Sequence, residues 1–117
     1  MVIEQLLNKC IQSAIDYGIA AYEVVENYKK TNKLYDIHYK NFRLLKEQLN
    51  GVDALYQLLE HSNMYVRYIA AIHLLSVNEK TAKEVILSVG TLSESLKFDS
   101  KYLLQEWDNG NIKDYYS

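Results

Sequence analysis

MYVRYIAAIHLLSV, residues 64–77, decides how this chain is read. Wound at 100° per residue, its apolar side chains run almost all the way round a helix. Val66, Ile69, Ala70, Leu74 and Val77 share one side, while Ala71, Ile72 and Leu75 occupy others. A helix apolar on every side is sandwiched between other elements rather than laid on a surface. Ala70 and Ala71 are small, so a neighbouring helix can come close. The segment therefore belongs at the middle of a layered helical fold. Yet it carries Arg67 and His73, which either serve that packing or belong to a site.

Working outward, helical spacing continues in both directions. Proline is absent and glycine occurs only at 18, 51, 90 and 110, so little interrupts the pattern and the chain reads as all-α. Ile3, Leu7, Cys10, Ala14, Tyr17, Ala21, Val24 and Tyr28 lie on one stripe, continued by Thr31, Tyr35, His38, Phe42, Leu45 and Leu49. One unbroken helix over 3–49 would be about 70 Å long, too long for a small domain to cover. Gly18 is the expected break, giving a first helix near 2–16 and a second ending just before Gly51, together a long hairpin over 2–49. A third helix is expected near 52–61 and a fourth near 64–76, parted by the polar turn His61-Ser62-Asn63. A fifth buries Ala82, Val85, Ile86 and Val89 and stops at Gly90. Residues 91–98 read as a loop, with Asp99 or Ser100 capping a last helix that ends at Gly110. The tail 111–117 reads as frayed, with its tyrosines available for docking. The expectation is one domain over 1–117, with helix pairs 52–77 and 79–109 after the hairpin.

Composition narrows the class. A chain of 117 residues supports one core, and 49% hydrophobic against 24% charged residues is that of an ordered protein. A net charge of −2 gives no bulk attraction to nucleic acid or to an anionic membrane. Cys10 is alone in an apolar stripe, so it reads as a small buried hydrophobe. The first residues lack a signal-peptide pattern and no apolar run reaches spanning length, so a cytoplasmic location without membrane contact is expected. Eleven tyrosines against two phenylalanines stand out, because tyrosine combines apolar area with a polar tip.

The stretch from Leu55 through Leu58, Leu59 and the turn at 61–63 into Val66, Arg67, Ala70, Ala71 and Leu74 resembles a HEAT-type repeat. Such a unit has two antiparallel helices, the second opening on Val-Arg. Leu103 and Trp107 echo Ala70 and Leu74, at a spacing shorter than the ~40–47 residues usual for such units. Ser100 stands where the arginine would be. The wider layout resembles a family of short bacterial proteins of uncharacterised function that carry a HEAT-like domain. The matching features are Gly18, Asn32-Lys33, the Val66–Ala71 motif and Leu104-x-x-Trp107-x-x-Gly110. The resemblance implies five to six helices in a short right-handed stack of antiparallel pairs, and no reaction, cofactor or catalytic residue. In HEAT-like units the arginine ties adjacent helices through a carboxylate or free carbonyls, and Asp53, Glu60 and Asp99 are the candidate carboxylates.

No phosphate loop, nucleophile elbow or His-Glu-x-x-His motif is present, and no histidine pair has metal-ligand spacing. The expectation is therefore no enzyme, no cofactor and no metal. Stacked helix pairs mostly bind other proteins, and an immunity-type or antitoxin-like role against one basic partner fits a small acidic chain. Tyr65, Arg67, Tyr68, His73 and Trp107 are the candidate partner-binding residues; a homodimer would also cover apolar end faces. Two alternatives stay open. Lys29, Lys33, Lys40 and Arg43 share one side of the second helix and would contact phosphates, although Glu26, Asp36 and Glu47 lie among them. A small ligand bound around Arg67, His73 and Tyr68 is the other.

Overall fold

A computed structural model describes residues 2–23 and 27–117. The chain forms six helices: α1 (Ile3–Tyr22), α2 (Tyr28–Glu47), α3 (Gly51–Leu58), α4 (Met64–Leu74), α5 (Glu79–Gly90) and α6 (Glu94–Asp108). There is no strand among the described residues, so the fold is all-α. The molecule measures 35 × 30 × 26 Å, half the length an unbroken 3–49 helix would need. Each helix packs on the next in chain order, and α4 additionally meets α1 and α2. That places α4 at the centre, where nine of its residues are buried.

Four of the six helices start on a capping asparagine or serine. Asn27 accepts a hydrogen bond from Lys30 N at 3.1 Å to open α2. Asn63 accepts from Tyr65 N at 2.9 Å and Val66 N at 3.3 Å to open α4. Asn78 caps α5 through Thr81 N, and Ser93 caps α6 through Leu96 N. Each side chain satisfies backbone N–H groups that a first turn leaves without a partner.

These caps correct two expectations. The break in the first fifty residues does not fall at Gly18, for α1 runs on to Tyr22 and α2 begins at Tyr28. Gly18 is instead a contact point within α1: a Cβ there would sit 2.1 Å from Tyr65 Cγ, so glycine is what lets α1 and α4 touch. Val24 and Glu26 of the expected stripes lie outside the described residues. Secondly, 91–98 is not a loop, since Ser93 starts α6 well before Asp99. Gly51 does follow a turn as expected, and a Cβ there would strike the Leu45 carbonyl oxygen at 1.8 Å. Asn50 just before it takes the left-handed conformation (φ 65°) that asparagine tolerates.

The tail does not trail free. Tyr116 is buried against α2 and α4, and its hydroxyl lies 2.7 Å from that of Tyr35. Tyr39 donates to the Tyr115 carbonyl at 2.5 Å, and Lys46 donates to the Tyr116 carbonyl at 3.1 Å. Arg43 donates to the Ser117 carbonyl. The two tail tyrosines thus dock onto the chain itself.

Candidate functional site

Four helices and the returning tail converge on a cleft of about 190 Å³. Tyr17 and Tyr22 come from the last turns of α1, and Tyr35 and His38 from successive turns of α2. Ile69 and Ile72 of α4 supply apolar wall, Asp99, Tyr102 and Glu106 come from one face of α6, and Tyr116 comes from the tail. The α6 residues fall at helical spacing, so one side of that helix presents both carboxylates to the cleft.

Asp99 is held in place. Its Oδ2 accepts from the hydroxyls of Tyr22 at 3.0 Å and Tyr68 at 2.5 Å. Among the described residues no donor reaches Oδ1. Burial, reinforced by the negative charge of Asp99, raises the pKa of Tyr22, Tyr68 and Tyr17 above the ordinary phenol value. Those hydroxyls therefore stay protonated and remain donors. Burial likewise raises Tyr35 and Tyr116, the pair that joins the tail to α2. Glu106 accepts from Asn111 Nδ2 at 2.9 Å through Oε2, which fixes its side chain beside the tail.

His38 is 2% exposed and its ring stacks on Tyr17, with centroids 4.4 Å apart and planes 3° from parallel. Tyr35 meets the same ring edge-on at 4.7 Å. Burial pushes the His38 pKa down to about 4, against the smaller raising effect of the Tyr35 and Leu34 carbonyls, so the ring is neutral near pH 7. Nδ1 is shut off from solvent with no hydrogen-bond partner. A neutral imidazole has one N–H donor and one acceptor nitrogen. Whichever nitrogen carries the proton, the other is left as an acceptor.

The residues singled out in the sequence fall elsewhere. Arg67 bonds the carbonyls of His61 at 2.9 Å and Ser62 at 3.0 Å, closing the α3–α4 turn through carbonyls of its own unit. None of Asp53, Glu60 and Asp99 is its partner. Tyr65 is buried, with its hydroxyl on Glu23 at 2.5 Å. Tyr68 is fully buried and meets the cleft through its hydroxyl on Asp99 and its ring edge-on to Tyr22. His73 is sealed in the core between Phe42 and Tyr116, both ring nitrogens without partners. Trp107 is buried and donates to Glu79 at 2.8 Å, joining the end of α6 to the start of α5. The five do not share one exposed surface.

On the second helix, Lys29, Lys33 and Lys40 are exposed with Asp36 and Glu47, while Arg43 is engaged with the tail. Three roomier depressions, of about 580, 590 and 400 Å³, lie at the α1–α2 and α5–α6 ends and between α1 and α3. They are broad surface grooves without a converging set of buried polar groups. No group of three or more His, Cys, Asp or Glu side chains that would hold a metal ion occurs among the described residues. No described helix is long and apolar enough to cross a membrane. Sequence reasoning missed the cleft because Tyr22 and Asp99, its joined edges, stand 77 positions apart. The only early signal was the tyrosine excess itself. Comparison with known proteins finds no family model, no curated protein and no solved structure that matches this chain.

Proposed function

We propose that this chain is a non-enzymatic protein-interaction module that engages one partner protein over the α6 side of the tyrosine cleft. The observation that carries this reading is the pair Phe98 and Tyr102. They are 78% and 59% exposed, one helical turn apart, and Tyr102 also forms part of the cleft. Exposed aromatics beside a recess that holds two carboxylates are the residue types that anchor interfaces. In this reading α3–α4 and α5–α6 are HEAT-like helix pairs in a short stack, and the protein works in the cytoplasm. Two carboxylates in the recess favour a basic partner, which agrees with an immunity-type or antitoxin-like role in which binding occludes a toxin.

The test is a tagged pull-down from the source cells at moderate salt, run beside a Phe98→Ala/Tyr102→Ala variant. Both side chains are exposed, so the variant should keep the fold by circular dichroism. One stoichiometric protein captured by the parent and lost by the variant supports the proposal. Capture of nothing, or of a protein that the variant retains equally, refutes it.

A further inference from the structure

The composition of the cleft says what chemical group it takes. Its walls include two carboxylates, Asp99 and Glu106, and no lysine or arginine. Each carboxylate has one oxygen committed within the chain: Asp99 Oδ2 to two tyrosines, and Glu106 Oε2 to Asn111. Among the described residues no donor reaches the other oxygen of either. An anion entering here would meet two like charges, whereas a cation would meet two opposite ones in a half-enclosed, apolar-walled space where such attraction is strong.

A second observation is independent of the acids. His38 is all but buried, lines the cleft and has no hydrogen-bond partner for its side chain among the described residues. Unpartnered buried polar groups are uncommon and call for an explanation such as a missing ligand. Held neutral by burial, the ring offers one acceptor nitrogen as well as one N–H. The other walls are aromatic, with five tyrosine rings around the recess. Ring faces attract cations, most strongly where water is excluded. Carboxylates and aromatic rings together, without a cationic side chain among the walls, define a host for a donor-rich cation. At about 190 Å³ the space suits the head of a side chain rather than a nucleotide or sugar chain.

We propose that this cleft is a receptor for an organic cation bearing N–H donors, a guanidinium or primary ammonium group, seated among Asp99, Glu106 and His38 and packed against the rings of Tyr17, Tyr35 and Tyr102. This deepens the interaction-module reading and rests on it only for the carrier of the group. That carrier is an arginine or lysine side chain of a partner protein, or a free amine. A guanidinium has five donors in a planar fork, which uses three separated acceptors better than an ammonium does.

The experiment is a titration of the full chain, followed by amide NMR shifts, with four probes. These are agmatine, the blocked peptide acetyl-Gly-Arg-Gly-amide, pentylamine, and tetramethylammonium, which has charge but no N–H. Saturable shifts at Asp99, Tyr102 and Glu106 are expected with the guanidinium probes in the millimolar range or tighter. Tetramethylammonium should bind roughly tenfold more weakly. Glu106→Gln, at a partly exposed position, should weaken agmatine by about tenfold with an unchanged thermal midpoint, and Tyr102→Ala should weaken it several-fold. Peptide binding equal to or tighter than agmatine identifies a partner's side chain as the carrier, and exclusion of the peptide identifies a free amine. Absence of saturable binding by every N–H probe overturns the proposal, as does parental affinity in both variants. The pull-down fails or succeeds separately: a captured protein with no probe binding would leave the module reading and remove this one. Probe binding with no captured protein would do the reverse.

Discussion

Gly18→Ala is the sharpest test of how α1 sits on α4. A Cβ at that position would lie 2.1 Å from Tyr65 Cγ and 2.5 and 2.6 Å from the adjoining ring carbons. Carbon atoms in contact prefer roughly 3.5–4.0 Å, so the ring would have to retreat by well over an ångström. It has little freedom to do so. Tyr65 is 3% exposed, its hydroxyl bonds Glu23, its ring stacks on Tyr22 at 5.9 Å, and its backbone N–H is tied to the Asn63 cap. In an unobstructed helix interior the same change would stabilise the protein by ~0.5–1 kcal/mol. Here overpacking costs roughly 1–3 kcal/mol, and loss of the Tyr65–Glu23 bond adds about 1 kcal/mol. The net expectation is a destabilisation of about 1–3 kcal/mol, a fall in Tm of about 4–12 °C.

Urea denaturation followed by circular dichroism measures it, with an unchanged m-value showing that the change lies in stability. A Gly18→Ala protein as stable as the parent would refute the contact argument. The pairing has its own control, because Tyr65→Ala removes the obstructing ring. In that background Gly18→Ala should become stabilising by the ~0.5–1 kcal/mol of helix propensity. The double-mutant cycle should then show a coupling of roughly 1.5 kcal/mol or more. Independent, additive effects would mean that the cost arises somewhere other than between these two residues.

Other consequences follow from the same geometry. Arg67→Gln should cost about 1–2 kcal/mol in urea denaturation through the lost ties to His61 and Ser62, while leaving agmatine binding at the cleft unchanged. Asn63→Ala removes the cap of α4 and should cost ~1 kcal/mol in the same measurement. Burial pushes the Cys10 thiol up to about 12, so a disulfide reagent should label it only after denaturant is added; rapid labelling of the folded chain would contradict its burial. Burial lowers the pKa of His38 to about 4 and that of His73 well below 6.5, so as pH falls below 6.5 the unfolded chain binds more protons. Stability should be full above pH 6.5 and decline as pH falls, by up to about 1.4 kcal/mol per unit for each histidine, and His73→Leu should flatten the decline and raise stability at pH 6.

How much of this was legible depends on whether a signal lay within one helix or between several. The all-round apolar pattern of 64–77 is local and predicted a central helix, which α4 is. Arg67 was legible as a tie to a carboxylate or to free carbonyls, and its partners are the carbonyls of His61 and Ser62. The expected break at Gly18 rests on reading glycine as punctuation, whereas α1 runs to Tyr22 and α2 begins at Tyr28. In this chain the starts are set by Asn27, Asn63, Asn78 and Ser93, whose side chains compete for backbone N–H groups. Gly18 had a different use, close approach, which periodicity along α1 alone does not reveal. The cleft was out of reach for the same reason: α1, α2, α4, α6 and the tail each contribute a few residues, and no one segment has a motif.

The tyrosine excess connects fold and site. A phenylalanine core would bury the same area, but these rings also carry hydroxyls that must be satisfied where water is excluded. The chain meets that need with long-range tethers: Tyr22 and Tyr68 to Asp99, Tyr65 to Glu23, Tyr35 to Tyr116, and Tyr39 to the Tyr115 carbonyl. Those bonds hold α6 and the tail onto α1, α2 and α4. The arrangement has one consequence that a phenylalanine core would lack. Asp99 is held in a partly buried position by two donors, on the wall of the cleft that Glu106, His38 and Tyr116 also line. The contacts that satisfy the hydroxyls thus also pre-position the acceptors to which we assign a cation. Replacing Tyr22 and Tyr68 together by phenylalanine should therefore loosen Asp99 and weaken agmatine before it unfolds the helices. If agmatine affinity survived that replacement unchanged, the tethers would serve the fold alone.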